Sequence, residues 1–311
     1  MLSYADSTNS SCMFPAFVIF YFHNTYGLED NSSKEGKPLK IGFIGTGNMG
    51  TILIESFIES KAADPSNMTI TNRTIEKALH IKNRYNSINV TESLEKLVSE
   101  NEMIFICVKP LDIYPLLARA LPYLRKDHIL ISITSPVQTE QLEQYVPCQV
   151  ARVIPSITNR ALAGVSLVTF GTSCGESAKA KINELMQHIS QALQIESDIT
   201  RVASDIVSCG PAFMSYLIQR FIDAAVSETS VSKQDAILMC KEMLVGMGKL
   251  LETELYTLPA LQEKVCVKGG VTGEGIKALE SGVQDMFHRV FQNTHMKYEE
   301  DISAVKKQFH V

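Results

Sequence analysis

The chain has 311 residues, enough for about two domains and for a core that closes without disulfide or metal staples. Hydrophobic residues make up 45% and charged residues 20%, which excludes wholesale disorder. Lys and Arg number 29 against 34 Asp and Glu, and the resulting net charge of −5 excludes a nucleic-acid binder that works through bulk charge.

Residues 1–38 differ from the rest. A polar start leads to an apolar run from Met13 to Phe22 and then to a linker-like stretch from Asn31 to Pro38. The run is about half the roughly 20 residues that a membrane span needs. No Lys or Arg precedes it and no small-residue cleavage site follows, so a signal peptide is also disfavoured. We expect residues 1–38 to be a disordered leader or a mis-assigned start, and the protein to be cytoplasmic with no membrane span. The seven cysteines include no CxxC pair, and several lie in apolar runs, as free thiols do in a reducing compartment. The histidines are scattered without HExxH, so no metal is expected.

Fold signals begin at Leu39. Lys40 to Ile44 reads as a short apolar strand running into Gly45-Thr46-Gly47-Asn48-Met49-Gly50, a full GxGxxG, with a helical stripe to about Ser60. Strand, glycines and helix in that order give the motif its meaning. Gly45 permits the tight turn, Gly47 lets the backbone approach a pyrophosphate, and Gly50 allows close helix–strand packing. The phosphates then sit on free N–H groups at the positive end of the helix.

The second strand, Met68 to Thr71, decides the cofactor. An NAD site wants Asp or Glu at its end to bind the ribose 2′-OH, whereas this chain has Thr71-Asn72-Arg73-Thr74. A hydroxyl, an amide and a guanidinium suit a 2′-phosphate, so NADP(H) is preferred. A helix over about Ile75–Tyr85 and an apolar strand from Met103 to Val108 follow. That strand ends at Lys109-Pro110, at the carboxyl edge where such sheets bind ligands. Further strands read at Ile129–Ile133, Gln149–Ile154 and Val165–Phe170.

From about Glu176 the period becomes 3.6, with one helix expected over Ala178–Leu193. Met214, Leu217, Ile218, Phe221, Ile222 and Ala225 share one helix face. Ser232 with Asp235 starts another helix, in which Gly246 and Gly248 point to a close helix crossing. These stripes read as core or as a homo-oligomer interface. The turn Lys268-Gly269-Gly270-Val271-Thr272 opens a last helical run. It reads either as a nest of N–H donors for a carboxylate or phosphate, or as a plain helix start with Thr272 as N-cap. The residues alone leave both open.

Several motifs in order resemble pyrroline-5-carboxylate reductase, from about Lys40 to about Phe291. Ile44 to Met49 is similar to the family's opening, Asn72-Arg73-Thr74 to its NADP-selecting turn, and Val108-Lys109-Pro110 to its loop over the cofactor. Cys209-Gly210-Pro211-Ala212 resembles its SGSGPA helix start, and Gly269-Gly270-Val271-Thr272 its SPGGTT substrate turn.

The resemblance implies an α/β fold. A Rossmann-type doubly wound sheet over 39–197 would bind NADP(H), and an all-helical C-terminal domain over 198–311 would bind substrate and dimerise. It implies reduction of L-1-pyrroline-5-carboxylate to L-proline in a homodimer or larger homo-oligomer. The imino-acid substrate would lie on Gly269, Gly270, Val271 and Thr272, with its carboxylate on Gly270-Val271-Thr272 and its ring nitrogen on the Thr272 hydroxyl. A protonated cyclic imine is already electrophilic, so placement supplies most of the catalysis.

The departures fall on the substrate side. Val267-Lys268 replaces Ser-Pro, Val207-Ser208-Cys209-Gly210 replaces SGSG, Ile154-Pro155-Ser156-Ile157-Thr158 replaces MPNTP, and Ser135-Pro136 replaces Ala-Gly. This pattern resembles the divergent branch encoded in late-competence operons of Gram-positive spore-formers. The alternative to a working reductase is therefore a nucleotide-binding regulatory or competence protein with impaired catalysis. A third reading is an oxidoreductase on another small imine or carbonyl acid. Its β-hydroxyacid dehydrogenase branch needs a Lys in the first long helix of the second domain, and none occurs from Gly210 to Thr229.

Overall fold

A computed structural model describes residues 38–309. The expected leader, Pro38 apart, lies outside the described residues. The central strand β1 (Ile41–Ile44) is buried at every position, as a strand covered on both faces must be. It is followed by α1 (Asn48–Glu59), β2 (Met68–Thr71), α2 (Ile75–Arg84), β3 (Asn89–Val90) and α3 (Leu94–Glu100). Next come β4 (Met103–Ile106), α4 (Pro110–Ala120), β5 (Ile129–Ser132), α5 (Thr139–Glu143), β6 (Gln149–Ile154) and β7 (Val165–Phe170). With a last strand, β8 (Gln191–Gln194), the sheet order is β3-β2-β1-β4-β5-β6-β7-β8, the doubly wound order extended by two strands. All neighbouring pairs are parallel except β6 with β7.

One reading is corrected here. The helix expected over Ala178–Leu193 ends early, as α6 (Glu176–Gln187), and Gln191–Gln194 is the edge strand β8. Pairing with β7 overrides the local helical period, and Ile189 still reaches the core from the connecting turn.

Alternate strand positions feed two cores. Phe43, Phe105, Leu53 and Phe57 lie in one, with the Phe43 and Phe105 rings stacked at 4.9 Å. Ile44, Ile104 and Ile106 lie in the other with Ile113 and Leu117 of α4. Each fully buried side chain of this size contributes about 1.5–3 kcal/mol, which makes the layer rigid enough to hold a site at its edge.

The helical part contains α7 (Thr200–Ser204), a wide π-turn over Asp205–Cys209, α8 (Gly210–Glu228) and α9 (Lys233–Glu252). The remainder is α10 (Leu258–Val265), α11 (Val271–Val283) and α12 (Met286–Phe309). Ser232 caps α9 as expected, its hydroxyl accepting from the Asp235 N–H. The close crossing expected at Gly246 and Gly248 is not formed within the chain, because a Cβ at either would meet nothing within 4 Å. The last helix returns to the sheet layer. Val305 and Phe309 of α12 pack beside Ile113 and Leu117, and the Phe309 ring meets Tyr114 edge-on.

Candidate active site

The glycine turn is held by packing at two positions and left open at the third. Gly45 has φ +107°, and its N–H donates to the Thr71 carbonyl at 2.8 Å. A Cβ there would lie 2.4 Å from the Cys107 carbonyl oxygen, and one on Gly50 would lie 2.3 Å from the Gly45 carbonyl oxygen. A Cβ on Gly47 would meet no protein atom within 4 Å. Packing therefore demands the first and third glycines. The second leaves room for something that approaches from outside.

Gly47 is the N-cap of α1, and no side chain caps it. The N–H groups of Asn48, Met49 and Gly50 thus face outward at the positive end of a three-turn helix. Thr46 Oγ1 in the same turn is buried and has no partner in the protein.

Gly45 and Gly47 open on a cleft of about 630 Å³ at the carboxyl ends of β1, β2 and β4, while Asn48, Met49 and Gly50 lie behind its lining. Gly45, Gly47, Thr71, Asn72, Arg73, Val108 and Lys109 all line it. Leu94, Pro115 and Leu116 give it an apolar wall. Pro110 sits one step back, in the first turn of α4 with Lys109 as N-cap. Four cations face the cleft, Arg73, Lys77, Lys109 and Arg119, against the acids Glu92 and Asp112.

The Asn72 side chain is used within the protein: its Oδ1 accepts from the Thr46 N–H at 3.0 Å and its Nδ2 donates to the Thr74 carbonyl at 2.8 Å. It shapes the loop rather than reaching outward. Arg73 is 89% exposed, with Asp112 at 4.0 Å, and is free to turn towards a phosphate. Burial pushes the Cys107 thiol up, so this cleft residue stays protonated and unreactive. A dinucleotide phosphate group fits this donor set: open backbone at Gly47, uncapped helix N–H groups and facing cations.

The second motif stands apart. None of Gly269, Gly270, Val271 and Thr272 lines the cleft. Gly269 takes φ +77°, the Gly270 N–H donates to the Val267 carbonyl at 2.9 Å, and Gly270 is the N-cap of α11. The N-cap is thus Gly270 and not Thr272, which lies in the first turn. Val271 is 89% exposed.

Sequence reasoning missed what joins the substrate-side departures. Ser208 Oγ donates to the Pro155 carbonyl and Ser156 Oγ to the Val207 carbonyl, both at 2.8 Å, so the Ile154–Thr158 and Val207–Gly210 segments hold each other. Ser135 is tied in by Arg152 and Tyr298. The sequence signal was slight: an arginine inside the apolar run Gln149–Ile154.

A doubly wound sheet, an anion-ready glycine turn and an appended helical region define a nicotinamide-dependent oxidoreductase of the Rossmann type. Comparison with known proteins agrees. Residues 40–136 match the family described as NADP oxidoreductase, coenzyme F420-dependent, and residues 196–301 match the pyrroline-5-carboxylate reductase dimerisation family. ComE operon protein 4 of Bacillus subtilis (strain 168) is 99% identical over 273 residues, 88% of this chain and 100% of that protein. Pyrroline-5-carboxylate reductase 3 of the same organism is 31% identical over 270 residues, 86% of this chain and 99% of that protein. The NADP-bound pyrroline carboxylate reductase of Plasmodium falciparum has the same fold, with TM-score 0.73 and 21% identity over 87% of this chain and 98% of that one. The chain belongs to the pyrroline-5-carboxylate reductase family. No helix among the described residues is long and apolar enough to cross a membrane.

Proposed function

We propose that the protein is a cytoplasmic, NADPH-dependent reductase of L-1-pyrroline-5-carboxylate. The observation that carries this reading is the cleft itself, with open backbone at Gly47 and an exposed Arg73, loosely paired with Asp112, at the end of β2. Backbone N–H groups of Asn48, Met49 and Gly50 would hold the pyrophosphate, Arg73 the 2′-phosphate, and Val108, Lys109 and Pro110 the wall beside them. When bound, NADPH supplies a hydride. Gly269, Gly270, Val271 and Thr272 would line the substrate, with its carboxylate at the Gly270-Val271-Thr272 turn on the Val271 and Thr272 N–H groups, the Gly270 N–H being bonded to the Val267 carbonyl. The Thr272 hydroxyl would hydrogen-bond the imine nitrogen and so fix the face offered for reduction. The nitrogen keeps its proton and the carbon gains the hydride, which requires no side-chain base.

The domain division we propose is 39–197 for the cofactor and 198–311 for substrate and dimerisation, with α12 returning to the first. The GGVT turn of a second copy would complete the cleft. This is supported by the exposure of Val271 and by the match of residues 196–301 to a dimerisation family.

A second reading is a competence or regulatory protein that binds nucleotide with catalysis impaired. The 99% match to a ComE operon protein and the clustered substrate-side departures favour it. One experiment separates the two: purified protein with NADPH and pyrroline-5-carboxylate, followed by nicotinamide absorbance. Turnover that falls at least about tenfold in Thr272→Ala supports the reductase. NADPH binding without turnover supports the second reading. For the cofactor, Arg73→Ala should weaken NADPH by about tenfold or more while sparing NADH. Equal losses for both would refute the 2′-phosphate role.

A further inference from the structure

Arg152 lies on β6, and its side chain is among the largest fully buried ones, at 1% exposure. None of its partners is a carboxylate. Nη1 donates to the Ser135 carbonyl at 3.0 Å, and Nη2 donates to Thr169 Oγ1 at 3.2 Å and Thr200 Oγ1 at 2.6 Å. Its Nε has no partner. The Glu140 carboxylate acts on this guanidinium only through space, and the neutral acceptors that touch it recover only part of the hydration lost on burial. Stability alone would favour an apolar residue of the same volume. What arginine adds is a rigid fork that reaches a backbone carbonyl past the strand end.

A second element reaches the same atom. Tyr298 of α12 donates its hydroxyl to the Ser135 carbonyl at 3.0 Å, across 163 positions of sequence. Both lone pairs of that oxygen are therefore taken, one from β6 and one from α12. Burial pushes the Tyr298 phenol up, which keeps it a donor. Tyr298 is itself held. The Arg201 guanidinium lies 5.3 Å from its ring centroid, and Arg201 donates to the buried Asp205 at 2.7 Å. Asp205 also accepts from Thr294 Oγ1 at 2.7 Å, one turn before Tyr298 on α12.

Ser135 follows β5, two strands away from the glycine turn, across β4. With the pyrophosphate on α1 and the adenosine end beside β2, the other half of a dinucleotide runs past β4 towards β5. The Ser135–Pro136 segment follows the carboxyl end of β5, on the side towards which that half would run, although neither residue lines the cleft itself. Pro136 has no N–H with which to lock the turn from within, so the segment is fixed from behind through its carbonyl.

We propose that Arg152 and Tyr298 are positioning residues that set the Ser135–Pro136 segment against the nicotinamide half of the cofactor, so that α12 controls that end of the cleft and leaves the adenosine end independent. This rests on the cofactor reading above. The test is calorimetric binding of NADPH and of 2′,5′-ADP, which carries the adenosine half alone, to wild type and to Tyr298→Phe. That variant keeps the ring under Arg201 and removes one hydroxyl. The expected result is NADPH binding weakened about fivefold, the size of one lost neutral hydrogen bond, with 2′,5′-ADP unchanged. Arg152→Met, where it folds, should show the same selectivity with a larger loss, and NADPH emission should shift in both variants. Unchanged NADPH affinity in Tyr298→Phe, or equal loss for both ligands, overturns the proposal while the cofactor reading stands. Wild-type protein that binds neither ligand overturns both.

Discussion

The sheet half and the helical half carry similar apolar content and bury it differently. Every residue of β1, β2, β4 and β5 is buried, whereas α10 and α11 bury none and the 19-residue α8 buries only Ile222. Phe221 on α8 is 67% exposed and Met239 on α9 is 58% exposed. The first half closes its own core. The second closes only a small one, Ile222 with Ala236 and Cys240, and leaves its larger apolar faces for another surface. The glycine-turn cleft is therefore walled by residues of the self-closed half, whereas the Gly269–Thr272 turn lies in the half whose apolar faces stay exposed.

The largest break in this comparison comes from Gly45→Ala. A side chain at φ +107° is strained, and its Cβ would press on the Cys107 backbone at 2.4 Å. Neither atom can yield without moving β4, so a loss of about 3 kcal/mol or more is expected, measured as a lower urea midpoint or as insoluble protein. A midpoint within error of wild type would show that the sheet half is not as closed as its burial indicates. Next comes Phe221→Asp in the helical half. It should shift the protein to monomers by light scattering and abolish any turnover, while the thermal transition of the sheet half stays put. Retained assembly would mean that a different face of α8 and α9 is covered. Gly47→Ala is smaller and more selective. Its Cβ meets nothing, so stability should stay within about 0.5 kcal/mol, while NADPH affinity falls about tenfold because the methyl stands where the pyrophosphate must approach.

Local signals carried most of the sheet half. Strands β2, β6 and β7 lie over the expected Met68–Thr71, Gln149–Ile154 and Val165–Phe170, and the glycine turn is legible because its geometry is local: one strand, one turn, one helix. The edge strand β8 was not legible. Its residues are only half-covered, no Gly or Pro separates them from α6, and their conformation comes from β7 rather than from their own period. The reversed direction of β7 against β6 has no local signature either. At the cleft, lining residues such as Gly45, Gly47, Asn72, Arg73 and Lys109 could be read as neighbours and the support behind Ser135 could not. That carbonyl is held from residues 17 and 163 positions away, and no motif encodes such a distance. The glycines of α9 read as a crossing that the single chain does not make, and both face open space among the described residues.

The smallest effect tests whether the two halves titrate independently. His128, just before β5, is fully buried; its Nδ1 accepts from the Arg125 N–H at 3.2 Å, and its Nε2 has no partner. Burial holds its pKa below the usual histidine range, the Arg125 charge adds to this, and Asp127 and Glu102 oppose it. The folded state therefore refuses a proton that the unfolded chain accepts below about pH 6.5. Stability contributed by the neutral ring is present above that pH and is lost as pH falls from there towards the lower folded-state value. Glu59 and Glu143 are likewise held below the usual carboxylate value, so their contribution is lost only below about pH 4.3. Between pH 7 and pH 5 the slope of melting temperature against pH should accordingly flatten in His128→Gln. The slope belongs to the sheet half, so Phe221→Asp monomers should keep it unchanged. A slope that disappears on dissociation would place the titrating group at the subunit contact and remove the independence of the two halves.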